Sequence, residues 1–319
     1  MRNASISIDL DNKWSYLKTH GDPAWETFPS YLATVVPRIL DFLDDHGLKI
    51  TFFIVGQDAA LEENHEALAT ISARGHDIGS HSFNHEPWLH LYTKAQINDE
   101  LAEAERWIEK VTGVRPKGFR GPGYSLSAAV LDVLAERGYE YDATIFPNVL
   151  NPIARAYFLA TSDLSKDEKE QRKALFGSAS DALRPVKPFW WRCGKRRLLE
   201  IPVTTMPLLK IPIHMTYIHY LGKYSSTVAL LYFRIALALC RLTGTEPSLL
   251  LHPSDFLGKE DDDELRFFPG MDLPVVAKTA LVHRVIVAMK AGYELVNMRE
   301  HAARIAQGQQ LRELESVGI

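Results

Sequence analysis

The sequence predicts an α/β fold, a distorted (β/α) barrel of seven to eight parallel strands. Two observations carry this expectation. Apolar runs of buried-strand length alternate with longer segments of helical period. The helical segments end again and again in glycine, the residue that most easily takes the left-handed conformation closing a helix. Strands are expected at 5–10, 50–55, 77–80, 118–120, 140–144, 199–204, 248–252 and 294–297. Between them, helices are expected at 31–46 before Gly47, at 60–74 before Gly75, at 128–137 before Gly138 and at 275–291 before Gly292. Thr93 and Gln96 form a capping-box pattern that opens a further helix, running to about residue 111 and closed by Gly113. A strand–helix–glycine–strand rhythm of this kind builds βαβ units, and eight strands favour closure over an open sheet.

The whole chain, 1–319, reads as one such barrel, with an insertion at about 147–197. That stretch shows no clean strand. It holds a polar, charged run over 162–173, then Pro185, Pro188 and the pair Trp190-Trp191. A loop of this length should carry a helix of its own and a role, and is expected to pack over one end of the barrel. The net charge of −4 gives no reason to expect nucleic acid as a partner. The two cysteines, Cys193 and Cys240, form no C-x-x-C pair and are expected to be free, buried thiols. The strand-like run starting at Ser5 leaves no room for a leader peptide, so a cytoplasmic protein is expected, with the inner face of the membrane as its one special location. The apolar stretch 228–240 is interrupted by Arg234 and is too short to span a bilayer, which needs about 20 apolar residues.

In a parallel barrel, chemistry collects at the C-terminal ends of the strands. The first expected strand ends in Asp9-Leu10-Asp11, the third in His81-Ser82-Phe83-Asn84-His85, and the fourth in Arg120-Gly121-Pro122-Gly123-Tyr124. The fifth carries Asp142, and the seventh runs through Leu251 into His252. His81 and His85 are four apart, so one helical turn would put both imidazoles on one side. Two neutral imidazoles and a carboxylate suit a divalent ion, zinc first, with cobalt, nickel, iron or manganese as alternatives. Asp9 and Asp11 lie two apart in extended chain, so their side chains would share a face. One would ligate and the other would stay free to take a proton. Arg120 would pair with Asp142 or Asp9, and His252, at a strand end on the same mouth, fits a proton donor. In the loop after the first strand, Trp14 would stack on a ring of the substrate and His20 would line the mouth.

The ordered set Asp9-Leu10-Asp11, His81-x-x-x-His85, Arg120-Gly121-Pro122-Gly123-Tyr124, Asp142 and Leu250-Leu251-His252 resembles the NodB-homology polysaccharide deacetylases, family four of the carbohydrate esterases. Thr51-Phe52-Phe53 and Gly75-His76-Asp77-Ile78-Gly79 add to the likeness, which spans about 5–300. The resemblance implies Asp9 as general base and Asp11, His81 and His85 as metal ligands. It also implies Arg120 positioning Asp9, Asp142 pairing with Arg120, Tyr124 contacting the oxyanion through its backbone N–H, and His252 as general acid. Besides the insertion at 147–197, which short members lack, the chain departs from the family pattern in three places. Leu10 separates the paired aspartates, as in members that deformylate a lipid-linked aminoarabinose precursor and in allantoinase-like members. Gly123 is an extra residue before Tyr124, and Ile145 or Phe146 stands where a tryptophan is usual.

The expected activity is therefore hydrolysis of an N-acyl group, acetyl or formyl, from an amino sugar. Trp190-Trp191 beside Arg192, Lys195, Arg196 and Arg197, and the apolar region 206–240, suggest a lipid-linked substrate and peripheral contact with an anionic membrane. Two alternatives are a small non-sugar amide as substrate, as in the allantoinase-like members, and a non-catalytic barrel that binds carbohydrate or lipid.

Overall fold

A computed structural model describes residues 2–151, 182–308 and 310–316. Its centre is a mostly parallel sheet with helices on the outside, the α/β class expected. The strands β1 (Arg2–Asp9), β2 (Thr51–Ile54), β3 (Asp77–Ser80), β4 (Gly118–Phe119) and β5 (Tyr141–Asp142) run side by side in chain order. The hairpin β6 (Phe189–Cys193) and β7 (Arg196–Glu200) follows, with β7 parallel to β5. Later come the short pair β8 (Thr205–Met206) and β9 (Ile211–Pro212), then β10 (Ser248–Leu251), β11 (Tyr293–Val296) and β12 (Glu313–Glu315). β10 and β11 both pair with β1 in parallel, and β12 extends the sheet beside β6. The backbone past β7 turns back onto β10: Thr204 N–H donates to the Ser248 carbonyl at 3.1 Å, and Ser248 N–H donates to the Thr204 hydroxyl at 2.8 Å. The sheet therefore curls until its two sides meet.

The strands read as apolar because both faces of the wall are covered. Along β1, Ala4, Ile6 and Ile8 face the main apolar core, while the alternate residues Ser5, Ser7 and Asp9 are buried outside that cluster. The alternate row is polar: Ser5 meets His301, and Ser248, beside it on β10, meets Met298, while the buried Ser7 hydroxyl has no hydrogen-bond partner among the described residues. Of the helices, α1 (Lys13–His20) follows β1 directly, and α2 (Leu32–Asp45) turns Leu32, Val35, Val36, Ile39, Leu40 and Leu43 to the core. The helix expected over 60–74 is shortened to α4 (His65–Ala73), preceded by α3 (Gly56–Ala60) and a 3-10 turn (Glu62–Asn64). α5 (Lys94–Thr112) begins with the expected Thr93–Gln96 capping box and stops at Gly113, whose φ of 71° needs no side-chain clearance. α6 (Ala128–Arg137) matches its expected bounds. Past β9 lie α7 (Met215–Tyr224), α8 (Ser226–Thr243), α9 (Val275–Lys290) and α10 (Met298–Gly308).

The insertion differs from expectation. Most of its middle, 152–181, lies outside the described residues. Its end is not strandless: 189–193 and 196–200 form the β6–β7 hairpin and join the main sheet. Trp191 is fully buried against Phe189 and donates its indole N–H to Glu200 at 2.8 Å, so this tryptophan belongs to the core. The adjoining cations are spent locally. Arg192 and Arg197 pair with Glu313, Arg192 also with Glu315, and Arg196 donates to the carbonyls of Ala135 and Glu136. The tryptophan–arginine cluster thus packs the sheet edge, where an anion-binding patch was expected. Both cysteines are free and buried, as expected.

Candidate active site

β1, β3, β4 and β10 end at one mouth. Ile8 lies opposite Leu251 in the β1–β10 ladder, so the next residues, Asp9 and His252, leave adjacent strands at the same level. On the other side His81 N–H donates to the Ile54 carbonyl, and Arg120 N–H to the Ser80 carbonyl, which carries the ladder to the next two strand ends.

Asp11, His81 and His85 converge. The Asp11 Oδ1 is 3.0 Å from His85 Nε2 and 3.3 Å from His81 Nε2, and one ligand atom from each of the three residues lies within 4.8 Å of the others. Ligands set about 2.0–2.1 Å from a tetrahedral ion stand roughly 3.3 Å apart, so the spacing fits zinc-like coordination. The tautomer fits too. His81 Nδ1 lies 2.6 Å from the Arg120 carbonyl oxygen, and a carbonyl only accepts, so Nδ1 holds the proton and Nε2 turns its lone pair toward Asp11. Burial opposes the charge on Asp11, but the His85 and His81 imidazoles overcome it and hold the carboxyl well below the usual range. Burial likewise opposes an imidazolium at His81, while Asp9, Asp11 and the Arg120 carbonyl raise it.

The loop that presents both histidines is strained: Ser82 and His85 have φ of 61° and 51°. Glu100 on α5 holds it. This carboxylate accepts from the amides of Phe83 and Asn84 at 3.0 and 2.6 Å and from the Asn84 side chain at 2.7 Å. Sequence reasoning missed Glu100. The signal was a charged residue at a core-facing position of α5, between Ile97, Leu101 and Ala104.

Arg120 is fully buried and chooses Asp9 over Asp142. It donates to Asp9 Oδ1 at 3.0 Å and to the Ala143 carbonyl at 2.9 Å, and its guanidinium lies 4.6 Å from the Phe53 ring centre. The expected Arg120–Asp142 pair is not formed among the described residues. Asp142 instead sits opposite Glu200 in the β5–β7 register and accepts from the Thr144 hydroxyl at 2.6 Å. Burial raises both carboxyls, and two facing acids in one dry site are best satisfied by sharing a proton.

Tyr124 reaches the mouth with φ of 62° and stacks on Phe146, ring centres 4.7 Å apart. Its N–H donates to the Gly121 carbonyl at 3.0 Å, so the amide expected to face an oxyanion is already engaged in the turn. Gly123, with φ of 58°, allows this turn: a Cβ there would sit 2.9 Å from Pro87 Cβ. His252 is half-buried, with its N–H on Asp255 at 2.8 Å. Its ring centre is 6.1 Å from that of His214, a histidine that sequence reasoning did not single out. Burial, with His252 and Arg120 nearby, pushes His214 well below the ordinary imidazole range, so it presents a neutral ring to the mouth.

Trp14 corrects another expectation. It is 1% exposed, packs edge-on against His85 at 6.3 Å, and donates its indole N–H to Asp58 at 2.8 Å. It therefore walls the ligand cluster from behind and offers no free face for a sugar. Asp58 also accepts from Asn12 at 2.7 Å, next to Asp11, and the Tyr31 hydroxyl donates to the Asp11 carbonyl. His20 stacks on Phe267 at 3.9 Å.

Comparison with known proteins shows what the chain is similar to. Residues 17–141 match the polysaccharide deacetylase family model, a span that includes His81, His85, Arg120 and Tyr124 but not Asp9, Asp11 or His252. The chain is 36% identical over 100 residues to the uncharacterized protein YlxY of Bacillus subtilis, covering 31% of this chain and 30% of that one. It is 25% identical over 162 residues to a peptidoglycan deacetylase of Helicobacter pylori, covering 49% and 53%. With the peptidoglycan-N-acetylmuramic acid deacetylase PdaA of Bacillus subtilis it shares 34% over 114 residues, covering 35% and 41%. The chain thus spans about a third to a half of the length of these curated relatives. A crystal structure of a Mycobacterium smegmatis protein, described as a candidate polysaccharide deacetylase, superposes with a TM-score of 0.64 at 21% identity, covering 98% of this chain and 94% of that one, and shows the common fold. Over 17–141 the chain is thus similar to the polysaccharide deacetylase family and to parts of these deacetylases, and it shares its fold with the Mycobacterium smegmatis protein.

Proposed function

We propose that the protein is a metal-dependent hydrolase that removes an N-acyl group, acetyl or formyl, from an amino sugar, with a lipid-linked sugar as the favoured form of the substrate. The observation that carries this reading is the convergence of Asp11, His81 and His85 beside an Arg120-held Asp9, with His252 one strand away. Peptidoglycan deacetylases among the relatives support an N-acetylated amino sugar as the substrate class. The lipid-linked form rests on the Asp-x-Asp spacing and on the apolar surface described below.

Asp11, His81 and His85 would hold the ion, with zinc the best fit to a carboxylate and two imidazoles. Such an ion lowers the pKa of a bound water and polarises an acyl oxygen. Arg120 fixes Asp9 by one carboxylate oxygen, and the other oxygen is left to take the proton of the attacking water. His252 would give its proton to the departing amine. Neutral His214, Phe146 and the Tyr124 ring would wall the acyl group from solvent.

The test is metal analysis of the purified protein together with amine release from N-acetyl and N-formyl amino sugars, free and lipid-linked. Activity should vanish with a chelator and return with zinc. Undiminished turnover in metal-free protein would refute the metal role. Metal-loaded protein that releases no amine from any of these sugars would refute the substrate class.

A further inference from the structure

We infer that the outer face of α7 and α8 is a docking surface for an anionic lipid bilayer. The first observation is in the sequence. A chain with 40 acidic residues in 319 has none at all between Glu200 and Glu246, while Lys210, Lys223, Arg234 and Arg241 fall in that stretch.

The second observation is the shape of α8. Its inner face, with Ala229, Phe233, Ala236 and Cys240, packs on the core. Its outer face is apolar as well: Val228, Leu231, Ile235, Ala238 and Leu242 are exposed at alternating spacings of three and four. That spacing draws one stripe along a rod about 27 Å long. A helix apolar on both sides is expected to be covered on both sides. Only 33% of it is buried in the fold, so the outer cover must come from elsewhere. With its inner face committed to the core, the helix lies along a surface and does not cross it.

Charge decides what the cover is. Arg234 and Arg241 run along one side of the stripe; Arg234 has no partner among the described residues, while the Arg241 guanidinium lies 5.6 Å from the centre of the Tyr293 ring. Of the neighbouring charges, Arg284 donates to Ser226 and adds to the positive field, while Asp272 is neutralised by Lys223 at 2.5 Å. A second copy packed on this stripe would add its own Arg234 and no carboxylate from either helix to compensate. Anionic head groups supply the missing charge, and the exposed rings of Tyr220 and Tyr224 on α7 suit the bilayer interface. The helix also leads from the mouth: His214, beside His252, caps the start of α7, which ends at Tyr224. Where the chemistry is concerned the inference rests on the proposed lipid-linked substrate, whose head group would meet the mouth at the membrane plane.

The test is co-sedimentation of the full chain with vesicles of phosphatidylcholine alone and with added phosphatidylglycerol. The native protein should bind the anionic vesicles at least about tenfold more tightly than the neutral ones, less so at high salt. Leu231→Glu with Ile235→Glu should abolish binding, and Arg234→Glu should weaken it. Both variants should leave the circular dichroism spectrum and amine release from a soluble N-acetyl amino sugar unchanged. Three results would each overturn the inference: no binding of native protein to anionic vesicles, equal binding by the double variant, or a native dimer that the double variant splits without any vesicle binding. Vesicle binding without deacylation would leave the surface standing and remove the proposed activity. Deacylation without vesicle binding would do the reverse.

Discussion

Asp9 and Asp11 lie two residues apart, yet their surroundings separate their roles. Asp11 meets two imidazoles and Asp9 meets a guanidinium. A carboxylate between two imidazole Nε2 atoms is placed to serve as a ligand. One tied to arginine by a single oxygen is oriented but still able to accept a proton. Asp9→Asn should therefore keep the metal and lower kcat by about 10²–10⁴-fold. Loss of metal from a folded Asp9→Asn protein would reverse the division of labour. His252→Ala should likewise lower kcat by about 10²-fold with metal content unchanged, checked by elemental analysis beside steady-state kinetics; an unchanged kcat would remove His252 from the reaction. The residue types and order of the site were legible in the sequence, because each stands at the end of an apolar run. Of the two partners expected for Arg120, Asp9 was legible and Asp142 was not: the register that sets Asp142 against Glu200 depends on a strand at 196–200, starting three residues before the one expected at 199–204.

Among the elements, the histidine loop depends on a helix. The carboxylate of Glu100 gathers three N–H groups of Phe83 and Asn84 while Ser82 and His85 stay in the left-handed region. Hydrogen bonds to a charged group are worth about 1.5–3 kcal/mol each, enough to offset strain of about 1–3 kcal/mol per residue. Glu100→Ala should free the loop and weaken metal binding by about 10–100-fold, as loss of an outer partner does elsewhere. Glu100→Gln keeps an acceptor for the two amides and should lose less, both measured by competition with a chromogenic chelator. β1 to β5, α2, α5, α6 and α9 were legible because apolar period and capping residues agree there. Two places were not. The β6–β7 hairpin alternates aromatic and basic residues in a way that reads as surface, since its arginines find their carboxylates on β12, more than a hundred residues away. The helix expected over 60–74 carries a helical pattern, but the chain breaks at Leu61, where ψ of 117° lets Asn64 turn in toward the carbonyl of Asp58 and the hydroxyl of Ser30.

On the scale of the whole molecule, the barrel keeps ionisable groups dry around its mouth, and stability must then depend on pH in a way surface charges do not produce. Asp58 is the clearest case. It is fully buried on α3, and burial, opposed by hydrogen bonds from Asn12 and Trp14, raises its carboxyl from 3.8 to about 7. Between these values the folded chain keeps a proton that the unfolded chain has released. Folding then takes up a proton, so stability falls as pH rises from about 4 to about 7 and levels off above. A shift of this size corresponds to at most about 4 kcal/mol. Asp58→Asn keeps an acceptor for the Trp14 and Asn12 N–H groups but cannot ionise. In chelator-treated protein, urea midpoints at about pH 5 and about pH 8 should therefore differ less in the variant than in the native chain, with the variant the more stable of the two at the higher pH. Equal pH dependence in both proteins would mean that Asp58 is ionised throughout, held so by Trp14 and Asn12. Asp11 would then share its corner of the mouth with a second negative charge, and the pull on a cation there would be stronger than three ligands alone provide.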